Sequence, residues 1–314
     1  MKRVLITGCA GFVGPYVADV LKRAGYAIWG ADQKDTTSAV PSGNYRSCDL
    51  ADETSVKTLL SETRPDTIVH LAAQSSAGRS FDTPGETIKN NVLPITYVLE
   101  HVRRTGENTR VLSVGSADVY GPVKASELPL DETRSPNPAN PYAMSKTIQE
   151  QICAQYASLY GVDVVMTRSF NHTGGGQRDT FVLSSFAKQI SQIKLGMRKP
   201  VVEVGNVDVK RDFSDVRDVA DAYLALLEKG KSGGIYNVCS GTSYSLRALL
   251  EKTAKLADVS IEIRVDESLV RPADMEELRG DNAKIARDTG WCPKVPIEDT
   301  LKSLLDFWAN TLRT

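Results

Sequence analysis

The sequence predicts an α/β protein built on a doubly wound parallel sheet, with a smaller α/β lobe towards the C-terminal end. Two observations support this prediction. Short β-rich runs alternate with amphipathic segments through the N-terminal half, and a glycine-rich turn follows the first run directly. The predicted strands are Arg3–Thr7, Ala27–Asp32, Thr67–Leu71, Arg110–Val114 and Asp163–Thr167.

Apolar residues recur at helical spacing between these strands, first at Val13, Val17, Val20 and Leu21. Beyond about residue 170 the pattern becomes less regular, so we expect one domain over residues 1–170 and a lobe mainly over residues 171–314. Segments near 207–240 should return to the first domain, because Asp215–Leu227 has a helical pattern and Ile235–Val238 a strand pattern.

Composition narrows the classes of function. Of the 314 residues, 41% are hydrophobic and 25% are charged, as in ordinary globular proteins. The net charge of -1 gives no sign of the basic surface that nucleic acid or an anionic membrane would require. No apolar run is long enough to span a bilayer. The cysteines are scattered, which favours the reduced cytosol over a disulfide or zinc framework: Cys9, Cys48, Cys153, Cys239 and Cys292. The histidines lack metal-ligand spacing, so no metal is expected: His70, His101 and His172.

Three glycines at three-residue spacing separate the first strand from the first helix. Gly8 permits a tight turn, Gly11 lets the backbone approach a pyrophosphate, and Gly14 lets helix and strand pack closely. A bare βα turn would also use glycine. The N-terminal position and an acidic residue further on favour a Rossmann-type dinucleotide site, which makes residues 1–170 the NAD-binding domain.

Asp32 ends the second predicted strand, 18 residues after Gly14. A carboxylate there can accept hydrogen bonds from the adenosine ribose and repel a 2′-phosphate, so NAD(H) is favoured over NADP(H). Lys34 nearby would soften this discrimination, and the alternative interpretation of Asp32 is a turn residue at a strand end.

A candidate reacting pair lies at the start of a predicted helix. Tyr142 and Lys146 are four residues apart and therefore share one helix face. A nearby ammonium should lower the pKa of the Tyr142 phenol, so that its hydroxyl exchanges a proton with a sugar alcohol or ketone. Ser116 follows a predicted strand and could bind the reacting oxygen, although alone it would be interpreted as a turn residue.

Four segments resemble the extended short-chain dehydrogenase/reductase family: TGCAGFVG from Thr7, HLAA from His70, GSADVYG from Gly115 and PYAMSK from Pro141. The resemblance implies a catalytic triad of Ser116, Tyr142 and Lys146, with Lys146 also binding the nicotinamide ribose. It further implies a homodimer in which the helices near Ile88–Arg104 and Tyr142–Tyr160 form a four-helix bundle. The implied cofactor contacts are Gly8, Gly11, Phe12, Val13, Gly14, Asp32, Asp49, Leu50, Leu71, Ala72, Ala73, Asn91, Tyr142 and Lys146.

The C-terminal half resembles the members of that family that act on GDP-mannose derivatives, through Arg168–Gln177, Lys210–Val219 and Arg271–Met275. The resemblance implies that Asn171 contacts the nucleotide sugar and that two arginines bind its diphosphate, which suits a bidentate guanidinium. Taken alone, both arginines would be ordinary surface residues. The implied substrate contacts are Ser76, Ser116, Asn171, Arg211 and Arg271.

The resemblance implies reduction of the C4 ketone of GDP-6-deoxy-4-keto-D-mannose to GDP-D-rhamnose, with Asp118 as a further catalytic candidate. The alternatives are a GDP-mannose 4,6-dehydratase, a 4-epimerase that keeps NAD bound, and a non-catalytic NAD-binding regulator. Ala117 and the short Asp118 stand where dehydratases commonly carry longer acidic or Thr-x-Glu pairs. This departure favours the reductase.

Overall fold

The computed structural model describes residues 1–270 and 275–313. The strands, numbered along the chain, are β1 (Arg3–Thr7), β2 (Ala27–Asp32), β3 (Tyr45–Ser47), β4 (Thr67–His70), β5 (Arg110–Val114), β6 (Val164–Ser169), β7 (Asn171–Thr173), β8 (Val201–Val204), β9 (Lys210–Asp215), β10 (Ile235–Val238), β11 (Ser243–Ser245), β12 (Glu262–Val265) and β13 (Glu277–Leu278). The α-helices are α1 (Gly14–Arg23), α2 (Glu53–Thr63), α3 (Ala77–Asp82), α4 (Pro84–Thr105), α5 (Pro141–Tyr160), α6 (Val182–Lys194), α7 (Val216–Lys229), α8 (Leu246–Ala257), α9 (Ala283–Thr289) and α10 (Ile297–Thr311).

The main sheet has the strand order β10-β6-β5-β4-β1-β2-β3, and its neighbouring strands are parallel. The chain winds outward from β1 in one direction through β2 and in the other through β4, so the crossovers diverge between β1 and β4. In such sheets ligands bind at the carboxyl ends of the strands beside this switch point. The predicted doubly wound parallel sheet is therefore confirmed.

Alternating side chains place one apolar core on each face of the sheet. Val4 and Ile6 of β1 pack with α1 and α7, whereas Leu5 packs with α2 and α4 on the other face. These side chains are fully buried, as expected for strands covered by helices on both faces.

Two predicted strands have different ends in the structure. The run predicted as Thr67–Leu71 forms β4 over Thr67–His70, because its pairing with β1 and β5 ends at His70. The run predicted as Asp163–Thr167 forms β6 over Val164–Ser169. Asp163 lies just before the strand and accepts a hydrogen bond from Arg110 Nε at 2.8 Å, while the later end is extended by pairing with β10 up to Ser169. The periodicity ended the strand too early because it could not include this tertiary pairing.

The C-terminal part contains a small sheet in which β9 pairs with β11, β13 and β7, and a separate β8–β12 pair. Helices α6, α8 and α10 enclose a separate apolar core with residues such as Phe186, Leu249 and Leu301. Between these segments the chain returns to the main sheet: α7 packs against α1, and β10 is the edge strand beside β6.

Within the described residues, no helix has the length and apolar composition needed to cross a membrane.

Candidate active site

The turn after β1 is closed by glycines that no larger residue could replace. Gly8 has φ +73°, and a Cβ there would lie 2.7 Å from the Ala72 nitrogen. A Cβ on Gly14 would lie 2.0 Å from the Cys9 oxygen. Gly11 between them is exposed. The turn therefore brings bare backbone to the switch point between β1 and β4.

Helix α1 begins at this turn, and no side chain caps its N-terminus at Val13. Its first N–H groups and the positive end of its dipole point towards the carboxyl edge of the sheet, where an anion would be stabilised. Phe12 and Val13, the predicted cofactor contacts in the turn, are both half-buried here. The site has the shape and charge preference that a dinucleotide pyrophosphate requires.

Asp32 lies half-buried at the end of β2, directly beside the turn. Its carboxylate accepts hydrogen bonds from the Ala10 nitrogen at 3.0 Å and from the Lys34 nitrogen at 3.3 Å. The Lys34 ammonium donates to the Ala10 oxygen at 3.0 Å. Asp32 thus stabilises the turn and lies at the position predicted for ribose binding. Lys34 lies beside the same turn, as expected from the sequence.

The other cofactor candidates surround the same edge. Asp49 is exposed and accepts hydrogen bonds from Gln33 Nε2 and the Ala51 nitrogen, while Leu50 is buried. The half-buried segment Leu71–Ala73 follows β4 and passes directly over Gly8.

Asn91 of α4 joins two parts of the site. Its Oδ1 accepts from the Gln74 nitrogen at 2.7 Å, and its Nδ2 donates to Ser145 Oγ of α5 at 2.9 Å. Because Asn91 is completely buried, these bonds fix the loop after β4 against α5. The structure therefore gives Asn91 a bracing role beneath Tyr142.

Ser116 and Tyr142 meet at the carboxyl end of β5. Asn140 caps α5 by accepting a hydrogen bond from the Ala143 nitrogen at 2.8 Å, and Tyr142 lies in the first turn. Ser116 caps the short 3-10 helix Ala117–Tyr120, and its side chain lies close enough to Tyr142 to lower the pKa of that phenol. The two predicted hydroxyls are thus adjacent and buried.

Lys146 lies one turn after Tyr142 and is also buried. Its ammonium donates to the Val114 oxygen at 2.9 Å and to Gln149 Oε1 at 2.9 Å. Burial lowers the pKa of Lys146 to about 8, because a charged group loses hydration there.

The environment of Tyr142 differs from the local expectation. Burial, followed by the negative charge of Asp118, raises the pKa of Tyr142, and the nearby Ser116 only partly offsets this. The expectation that Lys146 lowers the pKa of this phenol is not met, since the ammonium is bound to Val114 and Gln149. The Tyr142 phenol is therefore held in its neutral, protonated form.

Asp118 is half-buried and near enough to Tyr142 to affect its ionisation. Ala117 before it is buried in an apolar cluster with Tyr120, Leu130 and Phe170. An acidic side chain at position 117 would have to enter that cluster.

The substrate candidates lie on several elements. Ser76 caps α3 by accepting from the Arg79 nitrogen, and Asn171 begins β7 directly beyond β6. Arg211 lies on β9, where its Nη1 donates to the Met275 oxygen at 2.7 Å. Arg271 lies outside the described residues.

The sequence did not predict a bridge between the turn and the segment after β6. The Phe12 ring stacks on His172 with centroids 6.2 Å apart, and Tyr16 donates from its hydroxyl to the Gly175 oxygen at 2.7 Å. An aromatic residue directly after the glycine turn is a weak sign of such a contact. The bridge joins the cofactor turn to the segment that carries Asn171.

Comparisons with known proteins agree with this geometry. The family model described as GDP-mannose 4,6 dehydratase matches residues 5–304. A GDP-6-deoxy-D-mannose reductase of Pseudomonas aeruginosa is 38% identical over 99% of both chains. A GDP-mannose 4,6-dehydratase of Yersinia enterocolitica is 28% identical over 95% of this chain and 91% of its own.

Two solved structures extend the comparison. The structure of RMD from Pseudomonas aeruginosa with NADPH has a TM-score of 0.89 and 37% identity, covering 99% of this chain and 100% of that chain. A UDP-glucose 4-epimerase of Thermus thermophilus with NAD has a TM-score of 0.87 and 29% identity, covering 98% of each chain. Fold and site define a Rossmann-type protein of the epimerase/dehydratase class, as the four sequence segments predicted. Within that class, the chain belongs to the GDP-mannose 4,6 dehydratase family.

Proposed function

We propose that this protein is an NAD(P)H-dependent reductase of the C4 ketone of a GDP-4-keto-6-deoxy-hexose, converting GDP-6-deoxy-4-keto-D-mannose to GDP-D-rhamnose. The observation that carries the proposal is the buried Ser116–Tyr142 hydroxyl pair at the switch-point edge of the sheet, beside a glycine turn suited to a dinucleotide. The full-length similarity to a GDP-6-deoxy-D-mannose reductase supports the substrate class.

The neutral Tyr142 hydroxyl suits the reductive direction. When bound, the reduced nicotinamide supplies a hydride to C4, and the ketone oxygen then needs a proton. Tyr142 donates that proton, while Ser116 donates a hydrogen bond to the same oxygen and stabilises its developing charge. Lys146, one turn further along the same helix, is proposed to hold the cofactor ribose with its ammonium.

The cofactor proposal is NAD(H), with NADP(H) as a second substrate. Asp32 supports NAD(H), because its carboxylate opposes a 2′-phosphate. Lys34 is bound to the same turn and would attract that phosphate. Apart from Asn91, which is completely buried and braces α5, the remaining predicted cofactor residues lie along the same edge of the sheet and are proposed to contact the adenine and the pyrophosphate.

Ala117 favours a reductase over a dehydratase. A 4,6-dehydratase must abstract the C5 proton and protonate the departing 6-hydroxyl, which requires two acid–base groups besides Tyr142. The chain offers Asp118 there, while Ala117 is apolar and buried. We therefore propose that Asp118 tunes Tyr142 electrostatically rather than serving dehydration.

The experiment supplies purified GDP-6-deoxy-4-keto-D-mannose or GDP-mannose, each with NADH, NADPH or NAD. A reductase consumes one reduced cofactor per 4-keto sugar, measured at the nicotinamide absorbance, and its product gains two hydrogens by mass spectrometry. A dehydratase would instead remove water from GDP-mannose with only catalytic NAD. Product from GDP-mannose, or no oxidation of cofactor by the keto sugar, would refute the reductase.

We further propose that Ser76, Asn171, Arg211 and Arg271 bind the nucleotide sugar, and that residues 171–314 form mainly its binding lobe. A homodimer through α4 and α5 is supported by apolar side chains exposed on these helices, including Leu159 with 70% of its surface exposed. The scattered, unpaired cysteines support a cytoplasmic location.

A further inference from the structure

Gln149 is a buried amide between the catalytic lysine and the sheet. It lies three residues after Lys146 on α5, and only 1% of its surface is exposed. Its Oε1 accepts a hydrogen bond from the Lys146 ammonium at 2.9 Å. No motif described above includes this residue.

The sheet fixes which way the amide points. Gln149 Nε2 donates to Ser113 Oγ at 2.7 Å and to the Val114 oxygen at 3.2 Å. If the amide were reversed, its NH2 would face the Lys146 ammonium, which cannot accept a hydrogen bond. Its oxygen would face the Val114 carbonyl, which cannot donate one. Ser113 and Val114 therefore aim the oxygen of Gln149 at Lys146.

The described groups that face Lys146 leave its charge uncompensated. His70 of β4 is held neutral because burial lowers its pKa to about 3. Burial raises the pKa of the Cys153 thiol to about 12, and it also raises that of Tyr142. From the short helix beyond β5, the Asp118 charge acts on Tyr142.

The carboxylates nearby on the helices are otherwise engaged. Glu150, next to Gln149 on α5, binds Arg168 at 2.8 Å, and Glu100 of α4 binds Arg103 and Tyr156 far along the helix pair. α4 faces the N-terminal half of α5 with the uncharged Asn91.

We propose that Gln149 is a positioning residue: its amide, aimed by the end of β5, holds the Lys146 ammonium in place without neutralising its charge. The amide supplies direction, and the missing carboxylate leaves the full positive charge available to the cofactor ribose. The inference rests on the proposed reduction only for its kinetic consequence.

The direct test is the titration of Lys146 in the cofactor-free protein, by NMR of lysine labelled with carbon-13 at the ε position. The Lys146 resonance is identified by its loss in Lys146→Arg. The wild type should titrate at about pH 8. Gln149→Glu adds a carboxylate and should raise the midpoint by about one pH unit or more, whereas Gln149→Met removes the acceptor and should lower it.

Gln151→Glu is the matched control, because Gln151 lies on the exposed face of the same helix and receives the same charge change. Its midpoint should equal that of the wild type. Opposite shifts in the two Gln149 variants support the inference, and any other pattern overturns it, including shifts in the same direction from loosened packing.

The pH profile of kcat/KM separates this inference from the proposed function. The alkaline limb of this profile should follow the midpoint of the Lys146 titration. It should therefore move to higher pH in Gln149→Glu and to lower pH in Gln149→Met. If the NMR midpoints move apart but the limb stays fixed, Gln149 still positions Lys146 and the proposed role of that ammonium in the reduction is wrong. If the midpoints do not move apart, the inference is wrong regardless of activity.

Discussion

Lys146 of α5 and Arg168 of β6, which binds α5, are both buried cations, but they differ in whether a carboxylate compensates their charge. Arg168 forms two bonds of 2.8 Å to Glu150, donates to the Arg134 oxygen, and lies 4.7 Å over the Tyr120 ring. Among the residues that the structure describes, Lys146 has only uncharged acceptors. Paired burial keeps a charge stable in the fold, whereas unpaired burial leaves it strained and chemically available.

The comparison separates a structural half of α5 from a reactive half. Glu150 and Arg168 connect α5 to β6, and Tyr120 extends the network by donating to Asn237 Oδ1 of β10 at 2.7 Å. Tyr142 and Lys146, one or two turns earlier, face the open edge of the sheet. Substitutions in the first group should change stability, and those in the second should change turnover.

Tyr142→Phe should give the largest effect, a fall in turnover of about 10²–10⁴-fold, because positioned proton transfer contributes that much. Cofactor binding and the midpoint of thermal unfolding should remain close to wild type. Steady-state kinetics with the keto sugar measure the loss. Tyr156→Phe, on the same helix with its hydroxyl on Glu100, is the control and should retain turnover. Equal activity of Tyr142→Phe and wild type would remove Tyr142 from the mechanism.

Arg168→Met should lower the free energy of unfolding by about 3–5 kcal/mol, because it leaves Glu150 buried without its partner. Urea unfolding measures the change. The double variant Arg168→Met/Glu150→Leu removes both charges and should recover part of the loss. A loss below about 1 kcal/mol in the single variant, typical of an exposed pair, would contradict the structural role.

The sequence predicted the sheet and the positions of Tyr142 and Lys146 on one helix because these depend on local pattern. Alternation located β1 and β5 at the observed bounds, and the spacing of Tyr142 and Lys146 placed them on one face. The pKa of Tyr142 was predicted in the wrong direction, since burial depends on elements distant in sequence. Gln149 acquires its role only from Ser113 and Val114 across the helix–sheet contact, which no spacing along the chain indicates.

The Arg168–Glu150 pair shows the same limit. Arg168 was part of a segment interpreted for its substrate contacts, and a separation of 18 positions between the two partners gave no sign of pairing. Buried ion pairs depend on which side chains the fold excludes from water. Local pattern cannot supply that information.

Glu150→Gln tests the structural half of α5, and we expect its effect on stability to be smaller than that of Arg168→Met. The amide keeps one acceptor for Arg168 but presents its NH2 to the other guanidinium nitrogen and removes the charge. We expect a loss of about 1.5–3 kcal/mol, the range for hydrogen bonds to charged groups. Turnover of the folded protein should be retained, measured at a temperature well below unfolding. A loss of turnover without a loss of stability would place Glu150 in the reactive half instead.

Lys146→Met should have the smallest effect on stability, and its sign is the opposite of that for Arg168→Met. The pKa of Lys146 is lowered from 10.5 to about 8, so below pH 8 the folded protein bears a burial cost of about 3 kcal/mol. Methionine relieves this cost but leaves Gln149 Oε1 without a donor, for a net gain of about 1 kcal/mol at pH 7.

The pH dependence of that difference distinguishes relieved charge burial from improved packing. Between pH 8 and 10.5 the unfolded wild type binds more protons than the folded form, so wild-type stability rises with pH by about 2 kcal/mol relative to Lys146→Met. The gain of about 1 kcal/mol at pH 7 should therefore become a loss of about 1 kcal/mol at pH 10. Urea unfolding of both proteins at pH 7 and pH 10 measures the change, because groups common to both cancel in the difference. A difference that stays constant with pH would mean that Lys146 is not a strained charge, and the contrast with Arg168 would fail.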